Sequence, residues 1–255
     1  MKVANELWGN IPILHITPEG HAGGPLPTVI FLHGHTSAKE HNLHYAWQWA
    51  KKGVRVILPD ALLHGERDQS LDEVQISLRF WEIVLTSIEE LGFLHEELHK
   101  RQLTSGEPAV GGTSMGGITT LGALTAHPWI KAAAVMMGSG NYVELAKAQM
   151  RQYESRGFDL PLTDEEREGM LQALSRFDIS LNRQSFGGRP VFFWHGVKDP
   201  TVPFEPTNRL FHALQQDYAA YPERLAFMKE TEAAHAVSRK GMLSATAWIA
   251  DRLSE

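Results

Sequence analysis

No cysteine occurs among the 255 residues, which excludes disulfides, thiolate-bound metals and a cysteine nucleophile, and suits a reducing compartment. Long apolar runs are missing as well. No segment approaches the roughly 18 apolar residues that a membrane-crossing helix needs. Between Met1 and Ile16, the polar Glu6 and Asn10 and the ring of Pro12 fall where the apolar stretch of a secretion signal would lie. Positive charge is scarce: 24 Lys and Arg face 30 Asp and Glu, a net charge of -6. Nucleic acids and anionic membrane surfaces are recognised by clustered cations, so neither is an expected partner. A cytoplasmic protein acting on an uncharged small molecule is the expectation, and nothing in the sequence sets its oligomeric state.

What is present alternates. Short apolar runs rich in branched and aromatic residues appear at Thr28 to Leu32, Val54 to Leu58, Ala109 to Val110, Ala132 to Met137, Val191 to Trp194 and Leu225 to Met228. Hydrophobicity that is continuous rather than alternating marks strands buried on both faces, as in a parallel sheet. Ile13 to Ile16 reads as an outer, antiparallel strand. Between the runs lie segments with helical spacing: Tyr45 to Ala50, Ile118 to Ala126, Arg209 to Leu214, Leu243 to Leu253, and one helix face carrying Val74, Leu78, Trp81, Leu85 and Ile88. Strand and helix in turn predict an α/β fold, a mostly parallel sheet with helices on both faces, in one domain spanning 1–255. Residues 141–188 break the rhythm with helical pieces alone, the second opened by a Thr163–Glu166 capping box. This stretch is expected to be a helical insertion, a lid or cap over the carboxyl ends of the strands.

The sharpest local signal is Gly112-Thr113-Ser114-Met115-Gly116-Gly117, between an apolar strand and a helix. Gly-x-Ser-x-Gly at a strand-to-helix turn is a nucleophile elbow: the serine is strained and its neighbours must lack β-carbons to pass one another. The helix that follows aims free amides at developing negative charge. A serine hydroxyl needs a base, and the base an orienting acid, in the chain order Ser, Asp or Glu, His. Downstream lie His127, His195, His212 and His235. His127 ends a helix, His212 sits within one and His195 follows directly on a buried strand. His235 alone falls in a loop between the last strand and the last helix. Asp199 projects from the loop after a strand and is stiffened by Pro200 and Pro203; capping the next helix is its alternative task, and Glu144 is the reserve acid. The amide of Met115 is the first expected oxyanion donor. The amide of His35, in His33-Gly34-His35-Thr36-Ser37, is the second, with Gly34 letting the backbone turn inward.

These motifs, with Pro59-Asp60, His64-Gly65 and the stretch from Trp194 to Asp199, resemble the α/β-hydrolase superfamily over nearly the whole chain. More narrowly they resemble small bacterial carboxylesterases, near the dienelactone hydrolases and prolyl-oligopeptidase-type catalytic domains. The resemblance implies Ser114, Asp199 and His235 as a triad, His35 and Met115 as oxyanion donors, no cofactor, and a carboxylic ester, short-chain by expectation, as substrate. His35 stands where an aromatic residue is common. A peptidase or amidase, or a thioesterase, would use the same triad. The chain lacks the large filtering domain of prolyl-oligopeptidase-type enzymes, which favours esters. A catalytically silent binding protein is the rival of another class, and the intact triad speaks against it.

Two further groups carry less. His33, His35, His41, His44 and His64 crowd one end of the expected site. Zinc catalysis needs three or four converging ligands, His33 and His35 point apart if extended, and none of these five forms a His-x-x-x-His pair around a Glu, so no metal site is expected. Met136, Met137, Tyr142, Met150, Tyr153, Phe158, Met170, Leu174 and Phe177 either line a substrate pocket or bury the insertion.

Overall fold

The uninterrupted apolar runs form the parallel part of one eight-stranded sheet. The computed structural model describes residues 1–21, 23–155, 157 and 163–255, so Phe158 lies outside the described residues. The strands are β1 (Lys2–Trp8), β2 (Ile11–Thr17), β3 (Thr28–Leu32), β4 (Arg55–Pro59), β5 (Ala109–Thr113), β6 (Ala133–Met136), β7 (Val191–Gly196) and β8 (Leu225–Glu230). Their spatial order is β1-β2-β4-β3-β5-β6-β7-β8. β1 and β2 pair antiparallel, as do β2 and β4, and every other neighbouring pair is parallel. This is the mostly parallel α/β architecture that the alternation predicts.

The helices are α1 (Leu43–Ala50), α2 (Glu73–Leu78), α3 (Phe80–Lys100), α4 (Met115–Ala126), α5 (Tyr142–Ser155), α6 (Asp164–Ser175), α7 (Phe204–Asp217) and α8 (Arg239–Leu253). Alternate residues of each central strand serve two separate cores. Val29 and Phe31 of β3 pack with Tyr45 and Trp49 of α1 and Ile249 of α8. Ile30 and Leu32 pack on the other side with Leu91 of α3, Ile118 of α4 and Leu210 of α7. Burial on both faces is why these strands read as unbroken apolar runs.

Two expectations need correction. Ile13 to Ile16 lies in β2, but β2 is not the outer strand: β1 pairs with it through a two-residue Gly9-Asn10 turn, with Trp8 opposite Ile11. β1 carries no apolar run because an edge strand need not be buried; Leu7 is 64% exposed. The single helix face from Val74 to Ile88 is in fact two helices. Arg79 between them has φ -94° and ψ 10°, which breaks the α-helical ladder. Trp81 and Ile88 are buried, whereas Val74 and Leu78 on α2 remain exposed. α2 nonetheless has its own start, a capping box between Asp72 and Gln75.

The order of strands decides where chemistry can occur. The chain leaves β3 to form β4 on one side, then returns to form β5 on the other. The loops after β3 and β5 therefore diverge at their carboxyl ends and leave a crevice, the usual place for a site in an open α/β sheet. The loops after β7 and β8 reach the same edge.

Candidate active site

Ser114 sits between the end of β5 and the first residue of α4, with φ 54° and ψ -113°. A non-glycine residue in this region is strained, and the surroundings hold it there. Its N–H donates to the Met136 carbonyl at 2.9 Å, and its own carbonyl accepts from Ile118 N–H at 2.9 Å, opening the helix. The flanking glycines are required by contact. A β-carbon at Gly112 would lie 2.5 Å from the Gly116 carbonyl carbon, and one at Gly116 would lie 2.3 Å from the Leu32 carbonyl oxygen. The elbow is tight enough that only bare backbone fits.

The hydroxyl so presented meets a histidine brought from the far end of the chain. His235 Nε2 is 2.8 Å from Ser114 Oγ, and His235 Nδ1 is 2.7 Å from Asp199 Oδ2. A carboxylate only accepts, so Nδ1 carries the proton and Nε2 faces the serine hydroxyl with a lone pair. Asp199 Oδ1 accepts from the N–H groups of Thr201 at 2.9 Å and Val202 at 3.0 Å. Asp199 thus organises its own loop and does not cap α7, which begins after Pro203. Burial by itself would push the Asp199 carboxyl up. Hydrogen bonding from His195 and His235 and from the Val202 and Thr201 amides outweighs that, holding it well below the usual carboxylate range.

The other histidines downstream of Ser114 are engaged elsewhere. His195 is fully buried, with Nε2 2.9 Å from the Val202 carbonyl and 3.4 Å from Asp199 Oδ2, so it braces the acid from behind. His127 Nε2 lies 2.6 Å from the Ile88 carbonyl, and His212 Nδ1 is 3.0 Å from Gln215. Glu144, the reserve acid, is ion-paired with Arg209 at 3.1 Å on the surface.

The loop after β3 comes alongside the nucleophile. A β-carbon on Gly34 would lie 3.6 Å from Ser114 Cβ, which is ordinary contact, so crowding does not demand a glycine there. His35 N–H makes no hydrogen bond to another described residue, whereas the next amide, Thr36 N–H, donates to His64 Nε2 at 3.0 Å. The loop's position is fixed by residues that the sequence presents as a histidine cluster. His33 Nδ1 donates to the Gly34 carbonyl at 2.8 Å, and His33 Nε2 accepts from Ala61 N–H at 3.0 Å. His64 Nδ1 donates to the Leu62 carbonyl at 2.8 Å. Asp60 receives Lys39 N–H at 3.0 Å, Lys39 Nζ at 2.7 Å and Glu66 N–H at 3.0 Å. Burial pushes His33 down to about 4, and burial reinforced by the nearby His64 pushes His35 down to about 4. Both are neutral at physiological pH.

A cleft of about 310 Å³ opens beside these groups, lined by His35, His41, His44, Tyr45, Met137 and Ser114 among others. A larger depression of about 540 Å³ lies between Ser180 and Tyr221, but it contains no paired nucleophile and base. Chemistry rather than volume therefore picks the site. Met137, with φ 48°, faces the cleft; Met136, Tyr142 and Leu174 are buried in the two cores and serve packing.

Residues 88–254 match the model of the prolyl oligopeptidase family. The chain belongs to that family. It is 43% identical over 250 residues to "Putative esterase YitV" of Bacillus subtilis, covering 98% of each chain. It is 36% identical over 223 residues to "Esterase YjfP" of Escherichia coli, covering 85% of this chain and 86% of the relative. The crystal structure of TT1662 from Thermus thermophilus superimposes over 100% of both chains with a TM-score of 0.74 at 23% identity, a likeness of fold. Kinship with these esterases over most or nearly all of its length, together with the family match over residues 88–254, makes the protein an enzyme of the α/β-hydrolase type, a serine hydrolase.

Proposed function

We propose that this enzyme hydrolyses short-chain carboxylic esters by two-step acyl transfer, with Ser114 as nucleophile, His235 as base and Asp199 as the orienting acid. The observation that carries the reading is the unbroken relay of 2.8 Å and 2.7 Å from Ser114 Oγ through the His235 ring to Asp199. As Oγ attacks the ester carbonyl, His235 Nε2 takes its proton, and the ionised Asp199 stabilises the imidazolium. The same proton goes to the departing alcohol. Water then enters and gives a proton to His235 as its oxygen attacks the acyl carbon, and His235 passes that proton to Ser114 Oγ as the carboxylic acid leaves.

The amides of His35 and Met115 hold the oxyanion in both steps. Met115 is the first residue of α4, and its N–H belongs to the unpaired set at a helix start. The His35 amide is free in the adjoining loop. Such donors each contribute roughly 3–4 kcal/mol to the transition state. A short acyl chain suits a cleft of about 310 Å³ backed by Tyr45 and Met137. The names of the two relatives point to ester substrates. We further read 1–255 as a single catalytic domain with 141–188 as its helical insertion. Val143 N–H donates to Asp178 at 2.9 Å, tying the start of that insertion to the turn that follows its second helix.

The test uses p-nitrophenyl acetate, butyrate and octanoate with the wild type and with Ser114→Ala. Turnover that falls with chain length, and that disappears in a folded Ser114→Ala protein, is the expected result. Equal turnover by both proteins removes Ser114 from the mechanism, and a preference for octanoate removes the short-chain assignment. The family model favours one second reading, peptide hydrolysis with the same triad. Acyl-peptide cleavage at rates matching the esters would establish it.

A further inference from the structure

On α3 the sequence His95-Glu96-Glu97-Leu98-His99 places two histidines four residues apart, one helical turn, so both rings leave the same face. His-Glu-x-x-His is a zinc-ligand spacing on a helix. The expectation that the chain holds no metal site rested on the histidines between 33 and 64 and passed over this pair. Folding adds what the spacing alone lacks, a third donor from another element. Glu107, in the loop ahead of β5, brings one carboxylate oxygen to 2.7 Å from His95 Nε2 and 3.6 Å from His99 Nε2.

We propose that His95, His99 and Glu107 form a surface site for a divalent first-row transition ion, with zinc the best match to the donors. One ligand atom from each of the three residues lies within 4.8 Å of the others. Three donors bound tetrahedrally at about 2.0–2.1 Å stand about 3.4 Å apart, so the Glu107 oxygen moves out from His95 by under an ångström to admit an ion and stays close to its present distance from His99. His99 and Glu107 are half exposed and free to make that adjustment. His95 is the fixed member: its ring stacks on Trp129 with centroids 4.2 Å apart and planes 6° from parallel. Two imidazoles and one carboxylate favour zinc, nickel or copper over the oxygen-seeking calcium and magnesium. The neighbouring Glu97 is already held by Lys100 at 3.0 Å and Arg101 at 2.7 Å and does not compete. A bound ion clips the end of α3 to the loop that feeds β5. Ser114 lies at the opposite end of that strand, about 16 Å away at five residues, so the clip supports the frame and takes no part in acyl transfer.

The test adds zinc chloride to the chelator-stripped full chain and follows binding by calorimetry and unfolding by Tm. Saturable binding of one ion with a rise in Tm is the expected result. His99→Ala and Glu107→Gln weaken that binding by about tenfold or more, since losing even an outer partner of a metal ligand costs as much, while ester turnover without metal stays at the wild-type level. No zinc binding overturns the proposal. Binding of equal strength in the His99→Ala/Glu107→Gln double variant also overturns it, since the ion then sits elsewhere.

Discussion

Replacing Asp199 by Asn alters one atom and should remove nearly all activity. The side-chain oxygen that receives the Thr201 and Val202 amides must stay an oxygen, because turning it into an NH2 group would face two donors with a third and orphan two N–H groups, the buried one of Val202 among them. Each such loss costs about 1–3 kcal/mol. The new NH2 is thereby forced into the position 2.7 Å from His235 Nδ1. A donor there requires Nδ1 to accept, which moves the ring proton to Nε2, 2.8 Å from Ser114 Oγ. The imidazole then offers a proton to the nucleophile that needs to lose one. A wrong tautomer of this kind lowers kcat by about 10⁴, roughly 5.4 kcal/mol of transition-state stabilisation. The assay is steady-state hydrolysis of p-nitrophenyl acetate near pH 7.5 by Asp199→Asn, with Tm confirming that the protein is folded. A rate that climbs again in alkali, where hydroxide replaces the missing base, would complete the signature. A folded variant that loses less than about tenfold in kcat would mean that Asp199 does not set the tautomer, and the relay would have to be abandoned.

Three other outcomes follow from separate parts of the molecule. His33 is held neutral in the fold at about 4 against an ordinary 6.5, so the unfolded chain gains a proton first as pH falls. The stabilisation is complete above pH 6.5 and is lost towards pH 4, by about 3 kcal/mol; urea unfolding at pH 7.0, 5.5 and 4.5 measures it, and a His33→Gln variant with the same pH slope as wild type would disprove the assignment. Gly116→Ala drives a β-carbon to 2.3 Å from the Leu32 carbonyl oxygen and should lower stability by about 1–3 kcal/mol, whereas Gly169→Ala, in open space on α6, should raise it by up to about 1 kcal/mol; thermal melts giving the two the same sign would refute the contact argument. Glu144→Gln breaks only the surface pair with Arg209 and should leave kcat/KM within about twofold, since surface pairs contribute at most about 1 kcal/mol to stability and touch no reacting atom; a loss approaching that of Asp199→Asn would move the acid to Glu144.

The parts of the site legible in the sequence are those whose physics forces particular residues into consecutive positions. Close backbone approach at Gly112 and Gly116 leaves no room for a β-carbon, and that necessity is written directly as Gly-x-Ser-x-Gly. His235 and Asp199 could be found because loops at the carboxyl edge of a parallel sheet follow their strands in chain order. Features that obey no local constraint were hidden. β1 is exposed along most of its length and carries no apolar run. The break at Arg79 uses neither glycine nor proline, and the intact helical spacing across it suggests a continuity that the backbone lacks. Glu107 joins His95 and His99 only because the chain turns back after α3, so the spacing of the two histidines was readable while their third partner was not.

Residue type alone also fails to separate the histidines that build the loop from the one that moves a proton. Along the chain His33 and His64 stand closer to His35 than His235 does to Ser114, and composition ranks all three alike. The criterion is what each ring nitrogen already does. In His33 and in His64 one nitrogen donates to a backbone carbonyl and the other accepts a backbone N–H, at 2.8 Å and 3.0 Å in both cases. Protonating either ring would set a donor against a donor, so neither can serve as a base without releasing the loop that carries His35. His235 has the opposite arrangement, a carboxylate on one nitrogen and a hydroxyl on the other, and gaining a proton strengthens its first contact. Backbone partners make a histidine a strut, and a carboxylate opposite a hydroxyl makes it a proton carrier. That difference lies in contacts across 121 residues of chain between Ser114 and His235, beyond the reach of any local pattern.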